Sequence, residues 1–262
     1  MKLAMMSMMM IDHPIAEIIQ TTLDCGLEGI DWITTHHTPA RELRHRCDDA
    51  GIPVVAHTIL LERFINREAN PLDTVKQGID DALSLGAPVM MLPPFARVGN
   101  ASREKDRADW IEFYREAAPL IHQAGIIPTI ESTGFAVSPI IAADEVLEVL
   151  AAVPELKLTF DNGNVATAED PTESYRRTAG HVVHVHFKDW RVSDTPSPGS
   201  ELKRCGRHFS PALIGEGNLD LAGCWQTIRQ SGYRGYVNLE TSDPKRPIGE
   251  ALKIAAERMR NF

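Results

Sequence analysis

Residues 126–161 read IIPTIESTGFAVSPIIAADEVLEVLAAVPELKLTFD, and this stretch sets out the plan of the chain. A short apolar run, Ile126 to Glu131, ends in a carboxylate. Ser138-Pro139 then opens a helical segment, and a second apolar run, Leu156 to Asp161, again ends in a carboxylate. Strand, helix, strand in this order predicts parallel strands, because a parallel neighbour is reached only through a crossover of about this length.

The same alternation continues in both directions and occurs eight times in all. Upstream, Lys2 to Met10 is followed by a helix from Asp12, a candidate N-cap, with Ile15, Ile18, Ile19 and Leu23 on one stripe and Gly26 as its stop. Gly29 to Thr34 precedes a helix from about Thr38 to Ala50, and Ile52 to His57 precedes one opened by Asn70-Pro71. Pro88 to Leu92 leads to a helix around Arg103 to Gln123. Downstream, Asp170-Pro171 starts a helix before Val182 to Phe187. A polar stretch from Trp190 to Ser210 reads as a long βα loop, a helix starts near Leu219, and Tyr236 to Glu240 precedes the last helix. Eight such units in 262 residues predict an α/β fold, a single (β/α)₈ TIM barrel over residues 1–262, since such barrels usually take about 250 residues. The rival, a doubly wound open sheet, would carry G-x-G-x-x-G after its first strand, and none stands there.

Composition narrows the function classes. A net charge of −9 argues against a nucleic-acid surface, which needs a basic patch. The four cysteines, Cys25, Cys47, Cys205 and Cys224, have no C-x-x-C spacing and read as reduced thiols. Met1 to Ile11 is an apolar, Met-rich run with no small-residue cleavage site after it, and no run approaches the roughly 18 apolar residues of a membrane span. The expectation is a cytoplasmic protein with no membrane and no nucleic-acid partner.

The chemistry stands at the C-terminal ends of the last four runs, which carry Glu131, Asp161, His186 and Glu240. In a parallel barrel those ends converge on the mouth where active sites lie. Three carboxylates brought together repel one another, and a divalent cation relieves the repulsion. Largely oxygen ligands suit Mn²⁺ or Mg²⁺, and the imidazole brings Co²⁺ and Zn²⁺ into range; Mn²⁺ leads. His184 points to the same side as His186 but deeper, as a packed, hydrogen-bonded histidine. His57, closing the third run, is a candidate substrate contact or acid/base group, or a hydrogen-bonded strand-end residue. Lys188 supplies positive charge to a substrate oxygen or pairs with a carboxylate. Trp32 and Trp190 are candidates for an apolar wall against a sugar ring, with buried packing favoured. The methionines at 5, 6, 8, 9 and 10 fit barrel packing, and His36, His37 and His208 read as exposed loop residues.

TIEST around Glu131, the segment Asp161-Asn-Gly-Asn164, HVHFKD around His186, IGEGNLD at 214–220 and VNLET around Glu240 resemble the sugar phosphate isomerase/epimerase superfamily, the xylose isomerase-like barrels. The resemblance runs over essentially the whole chain, and the C-terminal half carries its specific motifs. It implies a metal held by Glu131, Asp161, His186 and Glu240, with Glu131 and Glu240 exchanging protons with opposite faces of the substrate. The metal polarises a carbonyl and its neighbouring hydroxyl, a carboxylate removes the α-proton, and the outcome is epimerisation, isomerisation or loss of a β-hydroxyl. Several ketose epimerases of the group have a histidine, which helps hold substrate, where Asn164 stands here. The arginine they carry six residues after the ligand histidine is replaced by Val192, with Arg191 adjacent. Gly215-Glu216-Gly217 shapes the loop before the next helix, with Glu216 a candidate to reach the site.

The leading expectation is therefore a metal-dependent isomerase or epimerase of a small sugar or keto-sugar. The alternative is a lyase on the same site: a dehydratase or β-eliminase of a keto-inositol, a dehydroshikimate-like acid or a 3-keto-glycoside. The DNA-cleaving endonuclease branch would need more metal ligands and a basic face, and a non-catalytic barrel would have broken ligand positions. No Gly-rich phosphate loop comes after the last two strands, which favours an unphosphorylated carbohydrate. Relatives in this group often form homo-oligomers.

Overall fold

The computed structural model describes residues 1–61, 71–95, 102–241, 243 and 245–262. Eight strands close on themselves in parallel: β1 (Lys2–Met6), β2 (Ile30–Ile33), β3 (Val54–Thr58), β4 (Val89–Met91), β5 (Ile127–Glu131), β6 (Lys157–Asp161), β7 (Val182–Phe187) and β11 (Tyr236–Leu239). The hydrogen-bonded order is β1-β11-β7-β6-β5-β4-β3-β2, with β2 pairing back to β1, so the sheet has no edge. The expected (β/α)₈ barrel is the fold, and closure excludes the open doubly wound sheet. Among the described residues no helix is long and apolar enough to cross a membrane.

Period-two alternation along each strand divides the molecule into two regions. Ile130, Phe160, Val185, Phe187 and Leu239 point outward into the main apolar core beneath the helices. The alternate positions line the barrel interior, which is unusually polar. Thr129, Thr159, His184 and Asn238 are all buried there, and the Thr159 hydroxyl donates to that of Thr129 at 2.9 Å. A small apolar cluster of Met6, Ile33 and Met91 caps that interior toward the mouth.

Several boundaries differ from the sequence reading. The first strand stops at Met6, and Ser7–Met10 turns as a 3₁₀ helix. Helix α1 (Ile15–Asp24) comes after Pro14, so Asp12 is not its cap, and Pro14 fixes the φ that the entry needs. Met8, placed on that turn rather than in a strand, is 47% exposed. Helix α2 spans Ala40–Asp49 and α3 spans Pro71–Leu85; the proposed cap Asn70 lies outside the described residues. Helix α4 is Arg103–Gln123. Ser138-Pro139 does not open a helix. Its Ser138 hydroxyl instead accepts from Thr133 Oγ1 (2.9 Å) and the Phe135 amide (3.2 Å) inside the β5 loop, and α5 begins at Ala143. A short α6 (Asn162–Ala166) comes directly after β6, and α7 (Pro171–Thr178) starts where Asp170 caps the Glu173 amide at 2.8 Å.

The Trp190–Ser210 stretch is a small antiparallel sheet rather than a loop: β8 (Asp189–Ser193), β9 (Glu201–Leu202) and β10 (His208–Ala212). His208 sits half-buried in it, not on an exposed loop. The turn after β10 latches the sheet to the barrel. Asp189 Oδ2 accepts the amides of Gly215 (3.0 Å) and Gly217 (2.8 Å), and Asn218 bonds both backbone groups of Val192. Gly217 is required there, since a Cβ would lie 2.2 Å from Asp189 Oδ1. Helices α8 (Leu221–Gln230) and α9 (Ile248–Arg260) complete the ring.

Helix α3 seats on the barrel through Gly78, where an added Cβ would meet Met90 Cε at 2.6 Å and Ile59 Cγ2 at 2.7 Å. Gly78→Leu is expected to lower stability by ~1–3 kcal/mol through overpacking. Chemical denaturation of the two proteins checks it, and an unchanged midpoint would contradict the packing described.

Candidate metal centre and active-site cavity

The register of β5, β6, β7 and β11 brings four side chains to one buried point. Asp161 pairs with His186 across β6 and β7, and His186 with Asn238 across β7 and β11, so Glu240 lies one inward step above. His186 Nδ1 lies 2.6 Å from Glu131 Oε1 and 2.8 Å from Glu240 Oε1. Ligand atoms of Glu131, Asp161, His186 and Glu240 all fall within 4.8 Å of one another. Lys188 Nζ stands 2.8 Å from Asp161 Oδ2, contacts Glu240 Oε2, and donates to Asn164 Oδ1 at 3.4 Å.

The electrostatics are those of crowded, dehydrated charge. Burial lifts the Asp161 carboxyl to about 7, against the Lys188 ammonium and with the help of Glu240 and Glu131. Burial would also raise Glu240, but Lys188 and His186 overcome it and hold it at about 2. Lys188 and His186 lose water as well, yet the carboxylates around them keep both well above their ordinary values. The inward atoms Glu131 Oε1, Asp161 Oδ2 and His186 Nδ1 are buried without a hydrogen-bond partner, even where an opposite charge stands close by. Oxygens of three carboxylates and one imidazole nitrogen converge there, those of Glu131 and Asp161 and the nitrogen unbonded, and they fit a divalent cation by geometry and by donor type.

Behind His186 lies a residue the sequence reading passed over. Asp31, at 0% exposure on β2, has Oδ2 3.4 Å from both His186 Nε2 and His184 Nε2 and accepts from Asn238 Nδ2 at 2.7 Å. Burial opposes its ionisation, but the two histidines hold its carboxyl well below the usual range. Such a carboxylate fixes the orientation and tautomer of a ligating imidazole. A charged residue inside the otherwise apolar run Ile30–Ile33 was the available signal. His184 is the packed interior histidine expected, and burial keeps it below its ordinary value.

The point opens on a cavity of about 560 Å³. Lys188, Asn164 and Trp190 line it with Glu131 and Glu240, and so do Glu201, Lys203 and Phe135, which the sequence reading did not single out. Asn164 is fixed by its Nδ2, which donates to the Ser132 carbonyl at 2.8 Å.

Four candidates lie elsewhere. His57 and Trp32 stand one residue out of phase with the inward positions Thr58, Asp31 and Ile33. They pair with each other on the outer face of the barrel wall, and His57 Nδ1 meets the Trp32 carbonyl at 3.0 Å. Trp32 is fully buried, edge-to-face against His36. Arg191 comes next after the inward Trp190 on β8 and so faces solvent, donating to the Glu216 carbonyl at 3.1 Å. Glu216 pairs with Arg258 (3.1 Å) and Arg246 (3.4 Å) outside the cavity. His36, expected on an exposed loop, is half-buried, with Nε2 3.0 Å from Ser7 Oγ.

A family model described as the xylose isomerase-like TIM barrel matches residues 19–262. The chain belongs to that family. An inosose dehydratase of Lacticaseibacillus casei is 30% identical over 106 residues, which is 38% of this chain and 36% of that protein. An L-ribulose-5-phosphate 3-epimerase of Salmonella paratyphi A is 22% identical over 188 residues, 71% of this chain and 61% of that protein. The chain thus spans less than two thirds of either relative. The structure of a 3-keto-D-glucoside 4-epimerase from E. coli superposes with a TM-score of 0.80 at 15% identity, covering 100% of both chains; at that identity the likeness is one of fold.

Asp31→Asn keeps the shape but removes the charge behind His186. It is expected to weaken Mn²⁺ binding about 10- to 100-fold, read by calorimetric titration of the EDTA-stripped protein. Unchanged affinity would show that Asp31 does not orient the imidazole.

Proposed function

We propose that this protein is a divalent-metal-dependent isomerase or epimerase of a small, unphosphorylated sugar or keto-sugar. One observation carries the reading: ligand atoms of Glu131, Asp161, His186 and Glu240 converge within 4.8 Å, with Glu131 Oε1, Asp161 Oδ2 and His186 Nδ1 buried and unbonded, on a point that opens into a ligand-sized cavity. The family, and relatives named as sugar epimerases and an inosose dehydratase, support a carbohydrate substrate.

Glu131, Asp161, His186 and Glu240 would hold the ion, with Mn²⁺ first in order. When bound, it supplies Lewis-acid polarisation of a carbonyl and the hydroxyl beside it, which acidifies the α-carbon. Glu131 and Glu240 come from strands on either side of β7, so a substrate lying over His186 has one carboxylate on each flank. One takes the α-proton. The other returns a proton to the opposite face to give the epimer, or return to the neighbouring carbon gives the isomer. Lys188, held beside Asp161 and Asn164, presents its ammonium to a substrate oxygen. Asn164 orients that ammonium through its amide oxygen.

A second reading, a dehydratase or β-eliminating lyase on the same site, is favoured by the inosose dehydratase relative. It shares the first proton removal and diverges at the next step, where a β-hydroxyl departs instead of a proton returning.

The test incubates EDTA-stripped protein in D₂O, with and without Mn²⁺, with a panel of ketoses and keto-acids under NMR. We expect Mn²⁺-dependent loss of one α-proton signal, and the product spectrum separates epimer, isomer and dehydrated compound. Glu131→Gln and Glu240→Gln are each expected to slow exchange by about 10²- to 10⁴-fold. Exchange that needs no metal, or that survives both substitutions, would contradict the assignment.

A further inference from the structure

Polar groups and apolar groups are unevenly shared along the cavity. Its floor holds Glu131, Glu240, Lys188 and Asn164, whereas the wall above is largely apolar among the described residues. Met8 and Ile11, both 47% exposed, stand on the loop after β1. Phe135, 52% exposed, stands on the loop after β5, directly across an eight-stranded ring, with Trp190 between them after β7. Exposed side chains of this size lining one cavity mark a ligand surface.

The wall is preformed. Trp190 Nε1 donates to the Gly163 carbonyl at 3.0 Å, and its ring stands edge-to-face on Phe209 at 6.1 Å. Lys203 Nζ lies 5.6 Å from the Phe135 ring centre and 5.8 Å from that of Trp190, so one ammonium ties the two rings together. That ammonium is already paired with Glu201 Oε2 at 2.6 Å, which cancels its charge. Among the described residues the far end therefore offers no net positive charge to a phosphate. It also offers few partners to hydroxyls, which lose water against Met and Ile side chains without replacement.

Building on the function proposed above, we infer that the substrate is a keto-sugar bearing an uncharged, apolar, aromatic-type substituent, such as an aryl glycoside. The sugar ring rests on the carboxylate floor, and the substituent lies between Met8 and Ile11 on one side and Phe135 and Trp190 on the other.

The test is calorimetric binding of unreactive probes to the Mn²⁺-loaded protein: phenyl β-D-glucopyranoside, methyl β-D-glucopyranoside and glucose 6-phosphate. Burying a phenyl group is expected to tighten binding about 10- to 100-fold over methyl, with the phosphate weakest. Phe135→Ala, a change at an exposed loop position, should remove most of the phenyl preference, so that the phenyl and methyl affinities converge. Equal affinities, or preference for the phosphate, would overturn the inference. So would loss of an oligomer in Phe135→Ala, by light scattering, with the phenyl preference intact; that assigns the rim to a second copy. Deuterium exchange on bare ketoses without a phenyl preference would keep the proposed function and remove the substituent. Phenyl preference without exchange on any carbonyl compound would keep the wall and remove the function.

Discussion

Three carboxylates, the His186 imidazole and the Lys188 ammonium share one dehydrated point at the mouth of the barrel, and the upper half of the molecule is organised around balancing them. Glu131, Asp161 and Glu240 would repel one another if left alone, and their low-dielectric surroundings sharpen that repulsion. His186 and Lys188 are inserted among them at 2.6 to 2.8 Å. Parallel strands make this arrangement possible, because each strand ends at the same mouth and alternate residues face the same interior. Asp31 and Asn238 extend the balance one layer down, so that the imidazole is gripped from below as well as from above.

The small sheet inserted after β7 is the second organising feature. It carries Trp190, Glu201 and Lys203 to the cavity, and its position depends on the Asp189 carboxylate gripping the Gly215 and Gly217 amides. Arg204 ties the other end, bonding Glu145 at 2.8 Å beneath the β5 loop. The cavity wall is thus built from the same loops that the barrel scaffold holds in place, as is usual for sites on this fold.

Much of this was legible in the chain alone. Alternating apolar runs and helical segments gave the barrel, and Glu131, Asp161, His186 and Glu240 could be aligned because each stands at a run's end. Three of the four misplaced candidates share one cause. Trp32, His57 and Arg191 stand near strand ends, but each is one residue out of phase with the inward face, and a shift of one reverses a side chain's direction. Asp31 was missed for a different reason: its partner His186 lies 155 residues away, and only strand register brings them together. The inserted sheet has strands as short as two residues and turn-rich composition, so local pattern resembles a loop.

The most direct measurement is an anomalous-scattering map from crystals soaked in Mn²⁺. The account predicts a single strong peak about 2.0–2.6 Å from His186 Nδ1 and from one carboxylate oxygen each of Glu131, Asp161 and Glu240. No peak at that point, or a peak held by other residues, would contradict the claim that this mouth is a metal centre.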